Sequence, residues 1–268
     1  MFAMLATAFV ACDKEDDNQT DETTEKVSSK DNAVDLGLTS GTKWAKMNVG
    51  ATNPWDFGDY FAWGETKPKE TYYEWQTYLH IAAGETNEYG INKYQVADGT
   101  NGVWYTKEFE RGLWYAKDFV GDGKTELEDA AFANWGGKWK MPTKEQVEEL
   151  EKECYWLYTE NYADTTNVRG YIIFKAKEVK DRGKKIPEKD LPYVTLPEGY
   201  SLADTHIFMP ETGFKNGKNI VWEGIYGYFW TSTLTANTRD AYSLNMENPW
   251  TVWPISRCLG LAVRPVCK

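Results

Sequence analysis

Hydrophobic and polar residues alternate with the period of a β-strand in three short runs near the end of the chain. These runs are Tyr228 and Trp230; Tyr242, Leu244 and Met246; and Leu259, Leu261 and Val263. The pattern predicts a packed antiparallel unit. Two loops that combine polar and aromatic residues, 235–240 and 248–257, separate the runs and are expected at its surface.

Two helices are predicted in the middle of the chain. Thr125 and Glu128 have the spacing of a capping box before a short helix, which Gly136 and Gly137 should end. Pro142 and Thr143 open a longer helix over 143–158, with Gln146 completing a second capping box. Its apolar stripe consists of Val147, Leu150, Cys154 and Leu157.

The rest of the chain is predicted to combine hairpins with ordered loop. Val34, Leu36 and Leu38 precede a turn at 39–42, and Trp44 follows it, as in a hairpin. The segment 53–69 is dense in Gly, Pro and aromatic residues and is expected to be an ordered loop, while 70–115 contains many Tyr and Trp with little periodicity and is expected to be irregular. The segment 175–197 is charged and contains proline, so we expect a surface insertion there, and 207–214 reads as a strand and a turn.

Composition narrows the possible partners. The chain has 13 Trp, 17 Tyr and a net charge of −11. Aromatic residues can build a core with few aliphatic side chains, and they also suit ligand surfaces. The negative charge argues against nucleic acid, because little would neutralise phosphates. Acidic residues at 118–129 raise the possibility of calcium, but they lack the spacing of a calcium loop, so no cofactor is expected.

The first residues predict an anchored protein. The apolar run 2–10 is too short to span a bilayer, and it ends in small residues before Cys12, as in the signal of a bacterial lipoprotein. Residues 1–11 would be the signal peptide, and Cys12 would carry the lipid. Residues 13–32 are acidic and almost devoid of apolar side chains, so we expect a disordered tether. The folded part would be a single domain over 33–268.

Three further cysteines remain: Cys154, Cys258 and Cys267. Export places them in an oxidising compartment, where disulfides persist. Cys154 on the helix and Cys267 on the last strand could form a bridge; a Cys154–Cys258 bridge and three reduced thiols are the alternatives.

Several segments together resemble the Fibrobacter succinogenes major paralogous domain, a family common in surface lipoproteins of Bacteroidetes-type bacteria. The resemblance rests on AVDLGLTSGTKWAKMNVGA from position 33, DYFAWGE from 59, NWGGKWKMPTKEQVEEL from 134, 207–214, GYFWTST from 227 and the late GLAVRPVC. It covers most of 33–268 in the family's order. The insertion around 175–206 and Cys258 depart from the family pattern.

The resemblance implies an α+β fold: a C-type-lectin-like domain with short antiparallel sheets, two short helices and much ordered loop. In lectin-like domains a disulfide joins the first helix to the last strand, and the resemblance implies this bridge for Cys154 and Cys267. It also implies a lipid-anchored location at the bacterial outer membrane, facing outward. It implies no reaction.

No catalytic constellation is evident. The chain has only His80 and His206, and it lacks a nucleophile elbow, a Gly-rich phosphate loop and a Cys-x-x-Cys motif. A formylglycine-generating or glycoside-acting enzyme is therefore the weakest hypothesis.

Two hypotheses of different class remain. The first is a non-catalytic module that binds an extracellular carbohydrate or protein through the two terminal loops. Its candidate residues are Asn237, Arg239, Asp240, Asn248, Trp250 and Trp253. Trp230, inside a strand, is expected in the core instead, and core packing is an equal alternative for Trp250 and Trp253. The second hypothesis is an assembly subunit of the cell surface or a pilus, which should expose a long sheet edge, whereas a binder should expose an aromatic patch.

Overall fold

The computed structural model describes residues 32–91, 128–186, 196, 198–235, 239–247 and 251–268. Within these ranges the chain is a mixed α+β structure made mostly of strands in several small sheets, with two α-helices. The strands are β1 Ala33–Val34, β2 Lys43–Ala45, β3 Tyr60–Phe61, β4 Cys154–Thr159, β5 Gly170–Lys175, β6 Lys185–Ile186, β7 His206–Pro210, β8 Phe214–Asn216, β9 Asn219–Val221, β10 Tyr228–Leu234, β11 Asp240–Asn245, β12 Thr251–Ser256, β13 Leu261–Ala262 and β14 Val266–Cys267. The helices are α1 Ala130–Trp135 and α2 Lys144–Glu153.

Four sheets organise the strands. The largest has the order β12-β11-β10-β13-β3, and a second has the order β6-β4-β5-β7. Strands β1, β2 and β14 form a third, and β8 and β9 a two-stranded hairpin. The first and last described strands therefore belong to one sheet, because β14 pairs with β2 of the hairpin of β1 and β2 that the sequence predicts.

The terminal sheet is not wholly antiparallel, contrary to the prediction. Strand β13 runs parallel to β10, with Phe229 opposite Ala262. The predicted loop 248–257 is also wrong in part, because β12 occupies most of it and pairs with β11 from Asp240–Ser256 to Asn245–Thr251. The proline that suggested a loop is tolerated because β12 lies at the edge of the sheet.

Both predicted helices are present. Thr143 caps α2 and forms the predicted capping box with Gln146. Asp129 caps α1 through the backbone N–H of Phe132, and Gly136 ends that helix with a φ of 66°. The predicted capping box of Thr125 and Glu128 is therefore wrong for α1, because the helix begins later in the chain, after Asp129. Thr125 itself lies outside the described residues. The second carboxylate oxygen of Asp129 accepts from the N–H of Met141, and burial raises the pKa of this acid to about 6.

Helix α2 is shorter than predicted. It ends at Glu153, and Cys154–Thr159 form β4 instead of a further helical turn. Every residue of β4 is buried, since Trp156 and Tyr158 face one hydrophobic cluster and Tyr155 and Leu157 face another. A strand buried on both faces reads as a continuous apolar run, which periodicity does not distinguish from a helix.

The predicted insertion is partly integrated into the second sheet. Strand β6 pairs in parallel with β4, and Tyr200 packs against Tyr155 and Phe174. Residues 187–195 and 197 lie outside the described part of the chain. The described ends of the insertion therefore complete the core of this sheet.

Buried aromatic side chains organise the loops of the first half of the chain. Trp63 donates from its indole N–H to the carbonyl of Thr231, and Trp230 donates to that of Phe61, at 2.9 and 2.7 Å. The hydroxyls of Tyr60, Tyr72 and Tyr78 each donate to a backbone carbonyl as well. These bonds satisfy backbone groups that regular strands would otherwise pair.

Arg264 connects three parts of the fold from a fully buried position. Its guanidinium donates to the side-chain oxygen of Asn48 at 2.7 Å and to the carbonyls of Ala45, Lys46 and Phe208 at 2.9–3.0 Å. Phe208 lies in β7, whereas Ala45 ends β2, so one side chain links two sheets. Burial lowers the pKa of Arg264 to about 9, and the guanidinium stays charged at neutral pH.

The three described cysteines are free and buried, so the expected Cys154–Cys267 disulfide is not formed in this structure. Cys154 begins β4 and packs in the largest hydrophobic cluster. Cys267 lies in β14 against Ala45 and Trp139, in a different cluster, and Cys258 packs with Tyr60 and Tyr72 in a third. Cys154 lies in β4 and not on the predicted helix, and it packs in a different cluster from Cys267, so the two thiols are not paired.

Candidate functional site

The candidate binding residues that the structure describes lie along β11 and β12 of the five-stranded sheet. Asn237, Asn248 and Trp250 fall outside the described residues, so their roles stay predictions. Arg239 precedes β11 and is exposed, Asp240 begins β11 and is buried, and Trp253 lies in β12.

Trp253 is the one candidate tryptophan within the described residues, and 60% of its surface is accessible. Its backbone is fixed, because it pairs with Ser243 within six consecutive cross-strand pairs. The hydroxyl of Ser243 also donates to the Trp253 carbonyl at 3.1 Å. The indole is therefore displayed by a rigid strand, whereas the sequence prediction placed it on a loop.

Arg239 and Asp240 form a two-bond ion pair. Nε and Nη2 of Arg239 donate to the two carboxylate oxygens of Asp240 at 2.9 and 3.0 Å. This pairing raises the pKa of Arg239, with a further contribution from Glu88. The positive charge at this end of the site is thus balanced by carboxylates.

The structure does not bring Trp253 into contact with this ion pair. Ser243, opposite Trp253, is four residues along the strand from Arg239, which corresponds to about 13 Å. Residues 239 and 243 have the same parity, so they face the same side of the sheet. The candidates therefore line an elongated surface instead of a compact pocket.

Arg257, at the end of the second predicted loop, belongs to the core. It is fully buried, and its guanidinium lies 5.5 Å from the ring centroids of both Trp63 and Tyr78. Its backbone N–H donates to the carbonyl of Arg239 at 3.1 Å. Arg257 thereby anchors the strand end that carries Arg239, and burial lowers its own pKa.

The outer edge of β12 offers few groups for pairing. In an antiparallel ladder, hydrogen-bonded and non-hydrogen-bonded pairs alternate. Because Arg257 bonds to Arg239, the odd-numbered residues of β12 bond to β11, and Val252, Pro254 and Ser256 direct their backbone groups away from it. Pro254 has no N–H. The carbonyl of Ser256 already accepts from Leu259 at 3.1 Å. Natural edge strands are protected from pairing with other chains in this way.

One shallow depression of about 270 Å³ lies elsewhere, lined by Lys175, Ala176, Lys177, Asp204 and Thr205. Two of its charged side chains pair with each other, because the Lys177 amine lies 2.7 Å from the Asp204 carboxylate. It has no exposed aromatic side chain among its lining residues. We therefore place the candidate site on the sheet and not in this depression.

The described residues contain no group of three or more His, Cys, Asp or Glu side chains that could hold a metal ion. Of the acidic stretch that suggested calcium, Asp129 uses both oxygens for backbone N–H groups, while Asp118, Asp122 and Glu126 lie outside the described residues. Burial raises the pKa of Cys154 to about 12 and that of Cys258 to about 11, so neither is a thiolate at neutral pH.

Sequence reasoning missed a second group of exposed aromatics, in the turn between β9 and β10. Trp222 is 47% exposed and its ring contacts that of Tyr226, with centroids 5.7 Å apart. The available signal was the sequence WEG at 222–224, an aromatic residue beside a turn glycine and directly before a predicted strand.

Comparison of the chain with family models, with curated proteins and with solved structures gave no match. No helix of the described residues has the length and apolar character needed to cross a membrane.

Proposed function

We propose that this protein is a non-catalytic binding module of the C-type-lectin-like class that recognises an extracellular carbohydrate through Trp253 and the neighbouring surface of β11 and β12. The observation that carries the proposal is the exposed indole of Trp253 on a strand held in unbroken register. Exposed apolar side chains held rigidly beside polar groups are typical of binding surfaces. The resemblance to surface-lipoprotein domains supports the same class.

A neutral carbohydrate fits this surface better than an anionic ligand. The indole face can stack on the C–H face of a sugar ring, while the exposed guanidinium of Arg239, held by Asp240, can donate to hydroxyls. Asp240 and Glu88 balance the charge of Arg239, and the whole chain carries −11. An acidic ligand would therefore be repelled.

The assembly-subunit hypothesis is less well supported. It requires a sheet edge that another chain can extend, and Pro254 interrupts the outer edge of β12. The buried thiols with raised pKa values also disfavour cysteine-based catalysis of the formylglycine-generating kind.

The proposal predicts that Trp253→Ala lowers carbohydrate affinity. Loss of a stacking tryptophan should cost about 2 kcal/mol of binding free energy, or roughly thirtyfold in Kd. A glycan array with the full chain identifies the ligand, a pull-down against surface proteins tests a protein partner, and titration calorimetry measures the variants. Trp250→Ala tests the second candidate indole in the same way.

Val179→Ala is a matched control, because Val179 is 81% exposed on the insertion, away from the five-stranded sheet. We expect it to bind like the wild type. Trp253→Phe should retain part of the affinity because a ring face remains. Wild-type affinity in a folded Trp253→Ala protein would refute the site.

The anchored location is a separate part of the proposal, resting on the apolar run before Cys12. We expect Cys12 to carry lipid and to tether the domain outside the bacterial outer membrane. Metabolic labelling with a palmitate analogue should mark the wild type and not Cys12→Ala. Equal labelling of the two proteins would exclude lipidation at Cys12.

A further inference from the structure

The turn from Trp222 to Tyr226 begins with a strained backbone conformation. Trp222 has a φ of 62°, a left-handed conformation that is strained for a bulky residue. Its carbonyl accepts from the N–H groups of Ile225 and Tyr226 at 3.0 and 3.1 Å, which holds the turn closed. Glycine would adopt this conformation at lower cost. Strain retained at an exposed side chain points to a use for that side chain.

Glu247 lies beside this turn. The N–H of Met246 donates to the carbonyl of Gly227 at 2.9 Å, which extends the pairing of Tyr228 with Asn245 by one step. Glu247 is the next residue, and its carboxylate accepts from the hydroxyl of Tyr228, on which Tyr226 also acts electrostatically. We call Trp222, Tyr226 and Glu247 the Trp222 platform.

The carboxylate of Glu247 is held in place. Its Oε1 accepts from the hydroxyl of Tyr228, and its backbone N–H donates to the side-chain oxygen of Asn245 at 2.8 Å. Its Oε2 has no hydrogen bond, and Glu247 has no ion pair, within the described part of the chain. A fixed acceptor thus lies near the partly buried ring of Tyr226, which contacts the exposed ring of Trp222, an arrangement that suits a hydroxyl-bearing ring.

The Trp222 platform faces the same side of the sheet as Trp253. Tyr228 pairs with Asn245, which has the same parity as Ser243, the residue opposite Trp253. Tyr226 packs against the same hydrophobic cluster as Tyr228, and the Tyr228 hydroxyl bonds to Glu247. Glu247 is four residues from Ser243, which corresponds to about 13 Å of extended chain. That separation is longer than a single sugar ring.

We propose that Trp253 and the Trp222 platform are two ends of one elongated site that binds a neutral oligosaccharide of several linked rings. This inference rests on the proposed function and adds the length and charge of its ligand. One ring stacks on Trp253, and a ring further along the same chain contacts Trp222 and Tyr226 and donates a hydroxyl to Glu247. Glu223 and Glu247 repel acidic sugars at this end.

The test compares short and long ligands on the full-length protein. The probes are disaccharides and hexasaccharides derived from cellulose, starch and mannan. We expect one hexasaccharide to bind the wild type about tenfold or more tightly than its disaccharide. Trp222→Gly should remove most of this gain and leave disaccharide affinity unchanged, whereas Trp253→Ala should weaken both ligands.

Folding does not limit this test. Glycine relieves the left-handed strain, so Trp222→Gly is expected to melt at or above the wild-type temperature. Trp222→Asn, which also tolerates this backbone, should bind as Trp222→Gly does. Asn167→Gly is the matched control, because Asn167 is exposed, has a φ of 63° and lies between β4 and β5, in the other sheet. It should keep full hexasaccharide affinity.

Equal affinity for the two lengths in the wild type, with binding that still depends on Trp253, would overturn the elongated site and leave the proposed function standing. Loss of hexasaccharide affinity in Asn167→Gly as large as in Trp222→Gly would also overturn it, since the effect would then not be specific to the platform. No binding of any neutral glycan by the wild type would overturn both proposals.

Discussion

Replacing Arg264 with methionine is expected to lower the free energy of unfolding by about 3–5 kcal/mol. The guanidinium is fully buried and donates four hydrogen bonds to groups on two other segments of the chain, 45–48 and β7. Methionine fills part of the space but donates to none of them. The side chain of Asn48 and the three carbonyls would then remain buried without this donor. Chemical denaturation of wild type and variant measures the loss.

Arg169→Met is the control for this experiment. Arg169 forms a single ion pair with Glu160 at 3.2 Å, and both side chains are substantially exposed. Such pairs contribute little, so the variant should lie within about 1 kcal/mol of the wild type. A comparably small loss for Arg264→Met would show that Arg264 does not connect the sheets as described.

Trp230→Ala and Trp253→Ala should differ strongly in stability although both residues belong to the same sheet. Trp230 is fully buried and bonded to the carbonyl of Phe61, so its removal leaves a cavity and should cost about 3–5 kcal/mol. Trp253 is 60% exposed, and its loss should cost no more than about 1 kcal/mol.

Thermal and chemical unfolding of the two variants measures this contrast. The same pair serves the binding proposal, because a Trp253→Ala protein of nearly wild-type stability isolates the effect of the indole on ligand affinity. A large loss of stability in Trp253→Ala would instead assign its indole to the core. The proposed binding surface on β12 would then lack its exposed aromatic side chain.

The carbohydrate proposal depends on rigidity as much as on residue type. Trp253 is fixed by its pairing with Ser243, and the Trp222 turn is held between β9 and β10. A rigid aromatic surface loses little conformational entropy when a ligand binds. The ordered loops of the first half, fixed by buried tryptophan and tyrosine donors, support the sheet that carries it.

The sequence by itself determined the features that depend on near neighbours. Thr143 and Gln146 specify the start of α2 because both capping bonds form within one helical turn. Gly136 ends α1 because few other residues adopt its backbone conformation. The alternation around Trp230 likewise identifies a strand with that indole in the core, since side chains of successive residues point to opposite faces.

Only the tertiary structure decided the features that depend on partners distant in sequence. Cys154–Thr159 become a strand because β5 and β6 pair with them, and that pairing also removes the helical position expected for Cys154. Trp253 is exposed and Trp230 buried because the order of strands places β12 at an edge and β10 inside the sheet. The placement of Trp253 and Glu247 on one face of the sheet follows from the register of β11 with its two neighbouring strands, which no local pattern encodes. Local rules specify caps and periods, whereas register and strand order are set by contacts across the whole core.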